Sequence, residues 1–132
     1  MIAASIDGYL PAKEDARLEW LRTDRRGFKH WHDASIRRLY TGYPLVDLIC
    51  EKERTDDRHI YLAEISDAES IELLRGLFLY HIVDEIIFYQ LPVTLQGGIR
   101  VTDGFSMAEW KIVQVRHYGN GICRTVYRKV SQ

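Results

Sequence analysis

The residues best placed to do chemistry are Ser5-Ile6-Asp7-Gly8, close to the start of a 132-residue chain. A carboxylate there, next to a glycine at the end of an apolar strand, can serve a reaction as a proton carrier or simply close a turn. A second constellation is His30-Trp31-His32-Asp33. His-x-His presents both rings together on a strand, but on a helix they diverge by about 200°. The segment reads as helix, so no metal site is expected. Asp84 and Glu85 are adjacent carboxylates. Strand neighbours point to opposite faces, so they read as polar residues at a strand start. Arg22, Arg25, Arg26, Lys29, Arg37 and Arg38 make a locally basic stretch. It is either a solvated helix face or an anion site for a phosphorylated ligand. Cys50 and Cys123 both lie in apolar runs and read as buried free thiols.

The elements that position these groups follow from periodicity. Residues 2–6 read as a strand. Residues 28–40 read as a helix, with Phe28, Trp31, Ile36 and Leu39 near helical spacing, closed by Gly42 and Pro44. Residues 45–50 and 59–63 read as strands separated by a charged turn over 51–58. Residues 66–80 form the clearest helix. Ser66 and Glu69 match a capping box, and Ile71, Leu74 and Phe78 form one stripe. Residues 82–91 read as a strand that is apolar on both faces and therefore central, ended by Pro92. Residues 110–117 and 122–130 read as a hairpin turned by Gly119-Asn120-Gly121. The expected architecture is α/β: a mixed sheet of about six strands, two main helices and an antiparallel C-terminal hairpin, in one domain over residues 1–132.

Composition narrows the classes of function. Hydrophobic content is 46%, charged content 28% and net charge −1. That is ordinary for a globular protein and gives no overall electrostatic case for nucleic acid or an anionic membrane. No apolar run reaches the roughly 18 residues of a membrane span. The N-terminus lacks the basic and apolar regions of a secretory signal, so a cytoplasmic location is expected.

Two regions carry a family resemblance. One is Ser5-Ile6-Asp7-Gly8 followed by Glu19-Trp20-Leu21. The other runs from residue 59 to 129, with Val83-Asp84-Glu85 opening a strand and Pro92-Val93-Thr94-Leu95-Gln96-Gly97-Gly98 after it. Together they resemble the dihydrofolate-reductase-like superfamily, and within it the C-terminal reductase domain of bacterial riboflavin biosynthesis. The resemblance implies an NADPH-dependent reductase of a pteridine or a ribosylaminopyrimidine. It implies that Ala4, Ser5 and Gly8 line the nicotinamide side, with Asp7 as the catalytic carboxylate. Ser66, Gly97 and Gly98 would contact the rest of the cofactor, and Trp20, Arg25 and Arg26 the substrate. It also implies a homodimer built through sheet edges or C-terminal strands.

The chain departs from that pattern in three places. The family's glycine-rich turn before the second helix is replaced by Glu64-Ile65-Ser66-Asp67-Ala68-Glu69. Three carboxylates there oppose a pyrophosphate. The family's Gly-Arg-x-Thr helix start has no counterpart over residues 33–44. Gln96 stands before Gly97-Gly98 where a third glycine is usual. The alternative reading is therefore a divergent, non-catalytic member, acting as a dimeric small-ligand-binding or protein-interaction module.

Overall fold

The computed structural model describes residues 1–54 and 60–130. The chain opens with strand β1 (Ile2–Ala4), followed by helices α1 (Ala16–Thr23) and α2 (Phe28–Ala34). Strand β2 (Arg37–Leu39), helix α3 (Leu45–Arg54) and strand β3 (Tyr61–Ala63) come next. Helix α4 (Ala68–Leu79), strand β4 (Glu85–Gln90) and a 3-10 turn (Val101–Gly104) lead to the hairpin β5 (Trp110–His117) and β6 (Cys123–Lys129).

Four strands form one sheet in the order β1-β4-β6-β5, and β2 pairs with β3. β1 runs parallel to β4, and β6 is antiparallel to both β4 and β5. The expected six strands are thus present as a four-stranded sheet and a two-stranded one, not as a single sheet of six. A bridge between Ile2 and Ile65 links the two, together with Met1 N to Ala63 O at 2.7 Å and Ile65 N to Met1 O at 3.0 Å. β4 is central, as its two apolar faces require. The alternation of β1 sends Ala3 into a core with Leu18, Leu21 and Phe28 under α1 and α2. Ile2 and Ala4 enter a second core with Ile71, Leu74 and Phe78 of α4.

Several local expectations are corrected. Residues 28–40 are not one helix: α2 ends at Ala34, where Ser35 Oγ donates to His32 O at 3.0 Å. The chain then becomes β2, and Ile36, read as part of the apolar stripe, is 57% exposed. Residues 45–50 are helical. Leu45 and Leu48, three apart, pack on Leu73 and Leu77 of α4, whereas Val46 faces out. Cys50 is therefore exposed on a helix, and Cys123 is half-buried on β6. The charged turn over 51–58 begins as the last turn of α3, and its residues 55–58 lie outside the described residues. The structure also holds four α-helices among the described residues, against two expected.

α1 and α2 meet at a tight corner. Asp15 caps α1, accepting from Arg17 N at 2.8 Å. At Gly27, just before α2, a Cβ would lie 2.3 Å from Leu21 O. Only a glycine lets α2 fold back this closely on α1.

Candidate functional site

In open α/β sheets, ligands gather at the C-terminal ends of parallel strands. Here those ends are Ala4 of β1 and Gln90 of β4, with the loops that follow them. The β1 loop turns tightly: Ser5 N donates to Tyr9 O and Gly8 N to Ser5 O, with Gly8 at φ +86°. Ser5 is buried. Its Oγ donates to Asp7 Oδ1 at 2.5 Å and accepts from Tyr9 N at 3.0 Å. Asp7 then reaches the other loop, accepting from Leu95 N at 3.0 Å and Gln96 N at 2.8 Å. These bonds, Ser5 first and Gln96 next, lower the Asp7 carboxyl to a pKa of about 2.

The structure therefore brings Ala4, Ser5, Asp7, Gly8, Gly97 and Gly98 together in one loop cluster. The Ala4 carbonyl is held in the sheet by Leu91 N. Asp7 sits ionised on two backbone amides, as a staple between loops. Gln96, at φ +61°, adopts the left-handed conformation that glycine takes most readily. Gly97 has open space about it.

Ser66 lies elsewhere, before α4. The cap of this helix is one residue later than expected: Asp67 accepts from Ser70 N at 2.8 Å. Ser70 Oγ accepts from Ser66 N at 2.8 Å and Asp67 N at 2.9 Å. Ser66–Glu69 is not the capping pair; Asp67 and Ser70 are. The Asp67 carboxyl is lowered by its bond from Ser70 N. Behind it, Glu64 pairs with Arg38 at 3.1 Å and approaches His32 Nε2 at 3.3 Å.

A pyrophosphate needs free N–H groups at a helix start. The α4 start has Ser66 N, Asp67 N and Ser70 N bonded to its own side chains, and it carries carboxylates. The second loop already has two amides on Asp7. The residues present do not fit a dinucleotide pyrophosphate at either place.

The substrate-side candidates behave differently. Trp20, on α1, packs against Tyr118 with ring centroids 5.4 Å apart and the ring planes tilted by 58°. Arg26 lies 5.3 Å from the Trp20 ring and 5.8 Å from the Tyr118 ring. Arg26 is also fixed by Asp24, at 2.9 Å from Nε, which lowers the Asp24 carboxyl to about 2. Arg25 is exposed beside Asp24. Arg37 and Arg38 do not converge with them: Arg37 bonds Tyr43 and Glu51, and Arg38 bonds Glu64. His30 packs edge-on to Trp31 at 4.8 Å, while His32 points to Glu64.

Sequence reasoning missed half of this cluster. Arg116 lies 5.9 Å from the Tyr118 ring and is directly opposite Arg124 across β5 and β6. Arg124 is 6% exposed. It lies over Trp31 at 5.5 Å and reaches Gln114 Oε1 at 2.7 Å, and its Nε has no partner among the described residues. Like charges facing each other across a sheet cost stability. The only signal in the sequence is two arginines flanking a glycine turn, and their pairing depends on a register that includes a bulge. The topology puts this cluster at the sheet end that also carries the Asp7 loops: the C-terminal end of β5 and the N-terminal end of β6.

One solved structure shares this architecture. The chain is similar to a putative riboflavin biosynthesis protein from Shewanella sp. PV-4, at 15% identity and a TM-score of 0.55, covering 98% of this chain and 97% of that one. The likeness over nearly the whole of both chains shows a shared fold. A pyrimidine reductase-like protein from Corynebacterium diphtheriae is also similar, at 14% identity and a TM-score of 0.46, covering 70% of this chain and 37% of that one. No family model matches the sequence, and no curated protein matches it significantly.

Proposed function

We propose that this chain binds a small anionic heteroaromatic compound, of the pteridine or ribosylaminopyrimidine class, on a dihydrofolate-reductase-like scaffold. The observation that carries this reading is the Trp20–Tyr118 ring pair with Arg26 and Arg116 over it. A tilted aromatic pair supplies an apolar surface for a flat ring, and guanidinium groups beside it supply counter-charge for a phosphate or carboxylate. Arg124, buried and bonded to the neutral Gln114 amide, adds positive potential behind them.

The reading is tested by calorimetry with a phosphorylated ribosylaminopyrimidine and its unphosphorylated counterpart. Micromolar binding of the first is expected, weakened roughly tenfold by Arg116→Ala, which removes a charge-assisted contact. Equal affinity for both compounds would remove the anion site from the argument.

A second reading is an NADPH-dependent reductase. It is favoured by one observation: the β1 loop and the Gly97-Gly98 loop are held together, as the resemblance implies for the nicotinamide side. NADPH titrated in the same experiment separates the two. Micromolar NADPH binding followed by turnover would transfer the assignment to the reductase. Failure to bind at millimolar NADPH supports the binding module.

A further inference from the structure

The hairpin of β5 and β6 sorts its side chains by chemistry. Cross-strand partners share a face of the sheet. Arg124 and Val126 of β6 face α1 and α2, since Arg124 lies over Trp31 and Val126 enters the core with Phe28. Their β5 partners, Arg116 and Gln114, lie on that face too, and so does Lys111, opposite Arg128. Plain alternation from Arg116 and Gln114 would place Ile112 next in this row. The register shift between Ile112 and Gln114 moves the alternation by one residue and places Lys111 there instead. Ile112 and Val115 are left on the other face, opposite Tyr127 and Thr125.

The resulting row, Lys111, Gln114 and Arg116, is exposed throughout. Among the described residues no carboxylate pairs with Lys111 or Arg116, whereas Arg128 is neutralised by Glu85 at 2.9 Å. Gln114 Oε1 is held by Arg124, which leaves the amide N–H groups of Gln114 as donors. Measured along β6 from Arg124 to Arg128, the row is about 13 Å long. Its Arg116 end lies 5.9 Å from the Tyr118 ring, against which the half-buried Trp20 packs.

We propose that this face of the hairpin binds single-stranded nucleic acid, with one base on the Trp20–Tyr118 pair and the following phosphates along Arg116, Gln114 and Lys111. The ring end of this track rests on the small-ligand reading above; the phosphate row goes beyond it. Cations that follow the backbone and aromatic rings that take the bases are the general mode of sequence-tolerant single-strand binding, and about two or three nucleotides cover the row. The facing of Arg116 and Arg124 costs stability in the free chain and is offset when a phosphate lies beside them. A duplex keeps its bases stacked away from the ring pair. The net charge of −1 supplies no overall attraction, so the affinity depends on this row. Pairing through the β5 edge leaves the face open.

The test is fluorescence anisotropy of a labelled single-stranded octathymidylate, with an abasic strand of the same phosphates and the octamer in duplex form as controls. Micromolar binding at low salt is expected, falling roughly five- to tenfold between about 50 and 200 mM salt, as two charged phosphate contacts require. The abasic strand and the duplex should bind at least roughly tenfold more weakly, the size of one lost base stack. Lys111→Ala, at an exposed position, should lower the salt slope by about 0.7 and leave the affinity for the phosphorylated ribosylaminopyrimidine unchanged. No binding at high micromolar protein would overturn the proposal, as would equal binding of the abasic strand or the duplex, or a salt slope unmoved by Lys111→Ala. If the ribosylaminopyrimidine binds and the octamer binds no tighter than thymidine monophosphate, the track falls and the small-ligand reading stands. If the octamer behaves as expected and the ribosylaminopyrimidine does not bind, the track stands and the small-ligand reading falls.

Discussion

Asp7 shows how a single carboxylate can be spent on architecture. It is fully exposed, yet it accepts from Ser5 Oγ and from the amides of Leu95 and Gln96. Its folded pKa, about 2, lies below the ordinary 3.8. A depressed carboxyl pKa means that its contribution is complete above about pH 4 and is lost as pH falls through 2. The Leu95 and Gln96 amide resonances of the wild type should therefore titrate together with a midpoint near pH 2. In Asp7→Asn that step should vanish and hydrogen exchange at both amides should accelerate. Retained protection in the variant would show that the loops hold without the staple. Tyr89 is the buried counterpart. Its hydroxyl accepts from Trp31 Nε1 at 2.8 Å and donates to Arg26 O at 3.0 Å. Tyr89→Phe leaves the indole N–H without its partner, so urea denaturation should show a loss of about 1–3 kcal/mol. A loss well below that range would mean that Trp31 finds another acceptor.

At the scale of the elements, two close fits decide local structure. Ser70 bonds two backbone amides at the start of α4 and donates to Asp67 O. Ser70→Ala should cost about 0.5–2 kcal/mol by thermal or urea unfolding, the range for a lost cap. Gly27→Ala should cost more, about 1–3 kcal/mol, because the new methyl would meet the rigid Leu21 backbone and not a movable side chain. An unchanged melting temperature in Gly27→Ala would mean that the corner between α1 and α2 relaxes freely. These fits also explain what the sequence made legible. The hairpin of β5 and β6 and the central β4 follow from alternation, glycine turns and double-sided apolarity. α4 follows from a stripe long enough to leave no rival reading, although its cap falls one residue late because Asp67 and Ser70 outcompete Ser66 and Glu69. Residues 45–50 could not be resolved by pattern: a short apolar run suits strand and helix equally until α4 supplies a partner for Leu45 and Leu48. The break after Ala34 was hidden for a similar reason, since Ile36 N bonds the distant Ile60 O. Of the candidate site, the Asp7 loop and Trp20 with Arg26 were legible locally. Tyr118, Arg116 and Arg124 join them only through strand register.

At the scale of the molecule, the four-stranded sheet leaves β5 at an edge. All of its residues after Trp110 are exposed, including Ile112 at 58%, Val113 at 40% and Val115 at 50%. A long edge strand with apolar side chains offers unpaired backbone groups to another chain, and proteins usually blunt or cover such an edge. A register shift between Ile112 and Gln114 kinks β5 on its β6 side, which limits pairing to the straight segment that follows it. We expect a homodimer through β5, with Val115 near its centre. Light scattering on the wild type should then give twice the 15.5 kDa chain mass. Val115→Lys would put two charges into the contact while touching no buried core residue, so it should yield a folded monomer with nearly unchanged far-UV dichroism. A wild-type monomer at high micromolar concentration would rule the dimer out. A dimer that survives Val115→Lys would move the interface to another face, and the β2 edge of the smaller sheet would be the next to test.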